Sequence, residues 1–266
     1  MLPGIALTAT APLNYPLKTV ITNLGLLANA KLILDAGDAA SYASGQSWND
    51  TSGNNYHFIL GATNSAEASD PTFNGNAGRL SANEFWNFDG ADYFTLGQAN
   101  PTWVNNLHKD GAQFAMCAWL QFASLNDSNL IFGTLGNSGA NVGIRFRGNV
   151  SGKLNMVPGS SQTQFNSTLS YSIGIWQFVA LSINENGGAS AGIWRCNGTS
   201  ETFNPNYSGP SASNANSTAQ IGAQGAATTP FPNGTKLGML AAFEGAVISD
   251  ASLAAIYAAT RRRYGV

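Results

Sequence analysis

Three blocks of aromatic, aliphatic and β-branched residues constrain the fold of this chain most. They are residues 88–94 (FDGADYF), 114–120 (FAMCAWL) and 176–183 (WQFVALSI), and turn-forming residues bound each block. Short apolar runs with such boundaries predict strands. Further strand candidates follow at 130–134, 142–147, 153–157, 190–196 and 236–248. This succession predicts an all-β chain folded as one large antiparallel β-sandwich.

The N-terminal segment differs from the rest of the chain. Residues 1–30 contain Pro3, Pro12 and Pro16 among small and apolar residues, with Lys18 as their single charge. Proline fixes φ and removes a backbone donor, which disfavours a central strand there. We predict an arm over 1–30 and one domain over 31–266. The arm is too apolar for a free tail, so it either packs on its own domain or docks on a neighbour.

The other end of the chain predicts a helix over residues 249–265. Ser249 or Asp250 would cap it, Leu253, Ile256 and Tyr257 share one face, and a glycine ends it. Residues 261–263 are three consecutive arginines. At the end of a helix, cations interact favourably with the unpaired carbonyls, which is the interpretation we adopt. The alternatives are an inter-subunit salt bridge and a phosphate contact.

Charge is scarce in this sequence. Charged residues make up 10% of the 266 residues and hydrophobic residues 44%, with a net charge of −2. About 25% charged residues is usual for soluble domains. A neutral, polar surface suits a protein that packs against many copies of itself, and also a secreted protein. Without a basic face, nucleic-acid binding is not expected, and without a long apolar run or a signal peptide, neither is membrane insertion.

The strand blocks resemble the laminin-G-like, or concanavalin A-like, jelly roll. Residues 88–93 resemble its F-D-G-x-D-Y segment, 114–120 its F-T-I-x-A-W-V strand, 176–180 its W-H-H-V-A strand, and 238–250 its last strand and helix start. Residues 34–38, 48–54 and 263–266 resemble the version of this domain in tailed-phage virion proteins. The resemblance covers about 31–266. It implies a jelly-roll β-sandwich with an N-terminal arm and a short C-terminal helix.

This resemblance, with the low charge and the apolar arm, implies a non-enzymatic phage virion structural protein. It would decorate the capsid or tail, be made in the host cytoplasm and be exposed on the particle. Its partners would be other virion proteins and copies of itself. The alternative is a carbohydrate-binding adhesin for host surface glycans, which would need a concave aromatic and amide surface on the loops at 62–81 or 197–218.

Two sets of side chains are candidates for ligand binding. Aromatic rings stack on sugars, and the candidates are Trp86, Trp103, Trp194 and Tyr207, although each ring also suits a hydrophobic core. The resemblance implies a Ca²⁺ site, for which Asp89 and Asp92 would supply oxygen ligands. The acidic pair of the family's last strand is absent, because Ala241 and Ala242 stand there. The two aspartates also suit turn formation through bonds to nearby amides.

Nothing in the sequence predicts catalysis. The acidic spacing Glu-x-Asp-x-x-Glu of glycoside hydrolases with this broad fold is absent. His57 and His108 have no nucleophile near them in sequence, so both are expected to be structural. Cys117 and Cys196 fit free buried thiols better than a disulfide, although spacing alone leaves that pairing open.

Overall fold

The computed structural model describes residues 14–136, 142–159, 164–225 and 227–266. Within these ranges the chain forms two eight-stranded sheets that face each other across a hydrophobic core. We number the strands along the chain, and all pairings between these strands are antiparallel. The jelly-roll β-sandwich predicted from the sequence is confirmed.

The two sheets interleave segments from all parts of the chain. Sheet A has the spatial order β14 (Thr199–Phe203), β13 (Gly192–Cys196), β12 (Gln177–Asn184), β7 (Gln113–Gln121), β16 (Lys236–Glu244), β5 (Phe85–Asn87) and β4 (Thr72–Asn74), with β1 (Ala30–Asp35) paired to β16. Sheet B has the order β11 (Phe165–Ser170), β10 (Lys153–Val157), β9 (Arg145–Gly148), β8 (Asn129–Gly133), β15 (Gln220–Ile221), β6 (Phe94–Leu96), β3 (Phe58–Leu60) and β2 (Ser47–Trp48).

The central strands of sheet A are buried on both faces. In β7, Met116 and Ala118 point into the core between the sheets, while Cys117 and Trp119 belong to a second apolar cluster on the outer face. Successive side chains of a strand point to opposite faces, so a strand covered on both sides has no polar positions. This explains why residues 114–120 are apolar without alternation.

Two helices cover that outer face. α1 (Leu17–Asn23) and α3 (Asp250–Thr260) both contribute buried apolar side chains to the second cluster. The Ser249 side chain accepts a hydrogen bond from the Ser252 amide at 3.2 Å, which caps α3 as predicted. The Trp119 indole N–H donates to the Thr260 hydroxyl at 2.7 Å and ties the helix to the sheet.

Part of the predicted arm lies on this same face. Leu17, Val20 and Ile21 of α1 are buried, and the Leu17 amide donates to the Asp35 carboxylate at 2.9 Å. Residues 1–13 lie outside the described residues. The division at residue 30 therefore stays a prediction, while residues 17–29 pack on the domain.

Some predicted elements were wrong. Residues 88–94 are not one strand, because only Phe94 of them belongs to a strand and the FDGAD segment forms the turn between β5 and β6. The polar stretch 197–218, predicted to be loop, contains the edge strand β14. Residues Thr102–Asn106 form the short helix α2.

One residue of the arginine run, Arg263, has a different role from the one predicted. α3 ends at Thr260, and residues Arg261–Tyr264 form a 3₁₀ turn that Gly265 closes in the left-handed conformation, at φ 73°. The Arg263 side chain turns inward and pairs with Asp35 at 2.7 Å, with 1% of each side chain exposed. Arg263 is therefore a buried anchor between the C-terminus and β1, and not a solvated partner of the helix end.

Candidate functional site

The four aromatic residues predicted to contact a ligand lie inside the protein. Trp86 and Trp194 have no exposed surface, and Trp103 and Tyr207 are each 4% exposed. Trp86 packs edge-on against Tyr42 at 4.5 Å between ring centroids. A ring surrounded in this way offers no face to a sugar, so in this conformation Trp86 and Trp194 serve the core.

Tyr207 and Trp103 instead support surface features. The Tyr207 amide donates to Glu185 at 3.0 Å, and its hydroxyl donates to the Leu107 carbonyl at 2.9 Å. These bonds hold the segment after β14 against the residues that follow β12 and α2. Trp103 forms part of the floor of a surface depression and contacts Tyr56, with 5.9 Å between ring centroids.

Asp89 and Asp92 organise the turn between β5 and β6. Asp92 accepts from the Asp89 amide and Asp89 from the Ala91 amide, both at 2.8 Å. Burial, together with the neighbouring Asp89, raises the pKa of Asp92 to about 7. In the described ranges no group of three or more His, Cys, Asp or Glu side chains is placed to hold a metal ion. Both carboxylates are engaged locally, so calcium binding stays a prediction.

The cysteines and histidines also have structural surroundings. Cys117 and Cys196 are buried free thiols, and burial raises their pKa values to about 12 and about 11. His57 accepts a hydrogen bond from the Asp50 amide at 3.0 Å. His108 is fully buried, lies 2.9 Å from the Ser213 carbonyl, and has a pKa lowered by burial.

A polar groove crosses one end of sheet A. At this end β1, β7 and β13 begin and β16, β12 and β14 end, because antiparallel pairing brings alternate strand starts and strand ends together. Three depressions of about 420, 310 and 270 Å³ lie here. We call them together the strand-end groove. The turns that connect the strands supply its walls.

The largest depression has an aromatic floor and a charged centre. Tyr56 is half-buried and forms this floor together with Trp103, with which it is in ring contact. Asn106 donates to Glu244 at 2.8 Å, and Lys31 approaches the other oxygen of the same carboxylate at 3.7 Å. Asn106 and Glu244 also line the second depression, so the first and second depressions share part of their walls.

The second and third depressions are lined mainly by amide and carboxylate side chains. Asp110 and Gln113 line the second, and Asn186 and Asn206 line the third. Asn186 donates to Asp110 at 3.1 Å, which connects their walls. Beneath them, buried Glu185 accepts the Gly111 amide at 2.8 Å and so fixes the turn before β7.

The residues of the groove have no direct signal in the sequence. Asn106 and Glu244 are 138 positions apart, and only the sheet order brings them together. Asn206 lies within the 197–218 stretch where the sequence predicted an amide surface, and it lines the third depression. A half-buried aromatic next to a turn, such as Tyr56 after Asn54 and Asn55, is the one local clue.

The opposite end of sheet A carries an apolar depression of about 370 Å³. It is lined by Gln121, Ile175, Trp176 and Val266, among others. Ile175 is 52% exposed, and Trp176 packs on Tyr264 with 4.7 Å between ring centroids. This surface contrasts in chemistry with the strand-end groove.

No family model matches the chain, and no curated protein is similar to it in sequence. None of the helices in the described ranges has both the length and the apolarity that a membrane span requires. The chain is similar to domain 4 of a GH43 extracellular arabinanase from Geobacillus stearothermophilus in complex with arabinotriose. The TM-score is 0.57 at 15% identity, covering 86% of this chain and 98% of that domain.

Two further solved structures share the fold. The Trypanosoma rangeli sialidase in complex with sialic acid has a TM-score of 0.57 at 11% identity, covering 89% of this chain and 34% of the sialidase. The binding domain of botulinum neurotoxin DC in complex with SialylT has a TM-score of 0.55 at 14% identity, covering 88% of this chain and 52% of that one. The chain therefore spans about a third of the sialidase. At these identities the likeness establishes the β-sandwich fold alone.

Proposed function

We propose that this chain is a non-enzymatic carbohydrate-binding domain and that glycans bind in the strand-end groove. The observation that carries the proposal is the row of amide, carboxylate and aromatic side chains across one end of the sandwich. Two of the structures with this fold were solved as complexes, the arabinanase domain with arabinotriose and the neurotoxin binding domain with SialylT. Recognition of host surface glycans by an adhesin would use such a groove.

The chemistry of the lining matches sugars. Asparagine and glutamine amides both donate and accept hydrogen bonds, and carboxylates accept from hydroxyl groups. Asn106, Gln113 and Asn206 supply the amides, and Asp110 and Glu244 the carboxylates. The Tyr56 ring supplies apolar contact for the carbon-rich face of a sugar ring. Ligand sites commonly combine aromatic surface with a few polar groups in this manner.

Binding without hydrolysis fits the arrangement of the carboxylates. Hydrolysis of a glycosidic bond commonly needs one carboxylic acid that donates a proton and one free carboxylate. Glu244 is held by Asn106 and Lys31, and Asp110 accepts from Asn186. We therefore propose that neither carboxylate acts in catalysis. Incubation of the protein with bound oligosaccharides should release no new reducing ends.

The test is glycan-array binding by the full chain and by Tyr56→Ala. We expect the variant to lose about tenfold in affinity, or about 1.4 kcal/mol, because the aromatic floor is removed. Tyr15→Ala is the matched control, since Tyr15 is 49% exposed and lies outside the groove. Tyr15→Ala should unfold at the temperature of the parent chain. Tyr56→Ala loses a half-buried ring that packs against the core, so it should unfold at a lower temperature but remain folded under the binding conditions. An array that stays silent, with and without calcium, would refute the proposal.

The second candidate is a tailed-phage virion structural protein that decorates the capsid or tail. It is favoured by the apolar depression at the opposite end of sheet A and by the charged fraction of only 10%. The partners would be other virion proteins and copies of this chain, and the location would be the particle surface. Glycan binding at one end and attachment at the other are compatible. A monomeric full chain in solution that also fails to bind phage particles would contradict this candidate.

A further inference from the structure

We infer that the strand-end groove takes an extended, uncharged oligosaccharide of several units, laid across the strand ends, and discriminates against sialylated and other anionic glycans. This inference rests on the proposed function and specifies its ligand. Three observations carry it: the length of the groove, the state of its cations, and the change in chemistry along it.

The length follows from the strand order. The groove extends from β1 past β16, β7, β12 and β13 to β14, which is five steps between neighbouring strands. Neighbouring strands lie about 4.8 Å apart, so the groove is about 24 Å long. The three depressions along it are linked by shared or hydrogen-bonded side chains. A single terminal sugar would fill one depression only, whereas a chain of several units contacts all three.

The charges exclude an anionic ligand. Among the described residues that line the groove the cations are Lys31 and Lys109, with no arginine. Lys31 lies 3.7 Å from Glu244, and Lys109 donates to Asn214 at 3.4 Å. A sugar carboxylate would lie near the Asp110 and Glu244 carboxylates and would find no guanidinium fork to bind it.

The chemistry of the groove changes along its length. The Tyr56 end offers aromatic surface, and the far end offers the exposed amides of Asn186 and Asn206. Short ligands should therefore depend on Tyr56, where apolar contact is available. Longer ligands should gain additional hydrogen bonds at Asn206. Dependence on the far end should thus grow with the length of the oligosaccharide.

The experiment uses a printed array of neutral oligosaccharides of two to eight units, with sialylated and uronic-acid glycans of equal length. For the best neutral series we expect affinity to rise at least tenfold between two and six units, and anionic glycans to stay at background. Asn206→Ala should weaken six-unit ligands about fivefold and leave two-unit ligands unchanged. Asn64→Ala, an exposed amide outside the groove, is the control.

Charge reversal provides a second, independent readout. Asp110→Lys should admit anionic glycans that the parent chain rejects, since it replaces a repelling carboxylate by a cation on an exposed turn. Equal binding of two-unit and six-unit ligands, or binding of sialylated glycans by the parent chain, would overturn the inference and leave the proposed function standing. Absence of binding to every glycan would instead overturn the proposed function, and the inference with it.

Discussion

The two ends of sheet A place their charged groups differently. At the strand-end groove, Glu244 and Asp110 line the depressions and are held by neighbouring polar side chains. At the end nearer the C-terminus, Arg263 and Asp35 form a buried pair in which 1% of each side chain is exposed. Charge at the first end is available to a ligand, and charge at the second end only fixes the fold. Because this chain has few charged residues, the position of each one indicates whether it can contact a ligand or only stabilises the fold.

The largest expected effect comes from breaking the buried pair. Arg263→Ala should lower the free energy of unfolding by about 3–5 kcal/mol, because Asp35 would be left as an unpaired buried charge. Urea denaturation followed by tryptophan fluorescence measures this loss. Arg262→Ala, at the exposed neighbouring position, should change stability by less than about 0.5 kcal/mol. Equal effects of the two substitutions would show that the pair contributes nothing.

A smaller effect is expected from the carboxylate beneath the groove. Glu185→Ala should cost about 1–3 kcal/mol, because the Gly111 and Tyr207 amides would lose their acceptor. It should also weaken glycan binding, since both turns form groove walls. Glu185→Gln keeps an acceptor oxygen and should recover part of each loss. Calorimetric unfolding and glycan titration of the same samples separate stability from binding, and a loss of binding at full stability would refute a purely supporting role.

A third effect concerns the turn between β5 and β6, where Asp92 is expected to make the stability of the protein depend on pH. Burial, then Asp89, raises the pKa of Asp92 from 3.8 to about 7, so the fold favours the protonated acid. This contribution is fully present below pH 3.8 and is lost as the pH rises through about 7. Asp92→Asn should flatten the decline in unfolding temperature between pH 3.8 and about 7. An unchanged pH profile in the variant would assign the decline to other groups.

The smallest expected effect concerns the thiols. Cys117 and Cys196 have pKa values raised to about 12 and about 11 by burial, so thiolate is scarce at neutral pH. A thiol reagent should label neither cysteine in the folded protein and both after denaturation, and adding a reductant should leave the unfolding temperature unchanged. Labelling of either cysteine in the native state would reveal an opening of sheet A.

The long strands were predictable because strands that are buried on both faces consist almost entirely of apolar residues. Residues 114–120 are apolar throughout, and residues 176–183 are apolar except for Gln177 and Ser182. They form the greater part of β7 and β12, which are covered on both faces. Residues 88–94 show the opposite case, since their aromatic character predicted a strand while Asp89 and Asp92 bond to local amides and fold a turn. Local hydrogen bonding of aspartate prevailed over strand propensity there.

The groove was beyond the reach of sequence reasoning for a geometric reason. Its lining comes from turns of distant segments, and their adjacency depends on strand order, which apolar pattern does not encode. The burial of the two predicted ligand contacts Trp86 and Trp194 has a related reason. Trp86 and Trp194 fill the space between two large sheets, so their size serves packing rather than recognition. Half-buried Trp176 has no distinguishing feature in the sequence, and Tyr56 has only the adjacent turn residues Asn54 and Asn55.

Helices α1 and α3 occupy the outer face of sheet A, and sheet B covers the inner face. Both faces of the central strands are therefore inaccessible to a ligand. A ligand of this sheet has to bind to the turns that connect its strands. Turns tolerate insertion and substitution far better than ladder positions. Related chains could thus change the sugar they recognise by lengthening the segments around residues 54, 110, 186 and 206, while the interior stays the same.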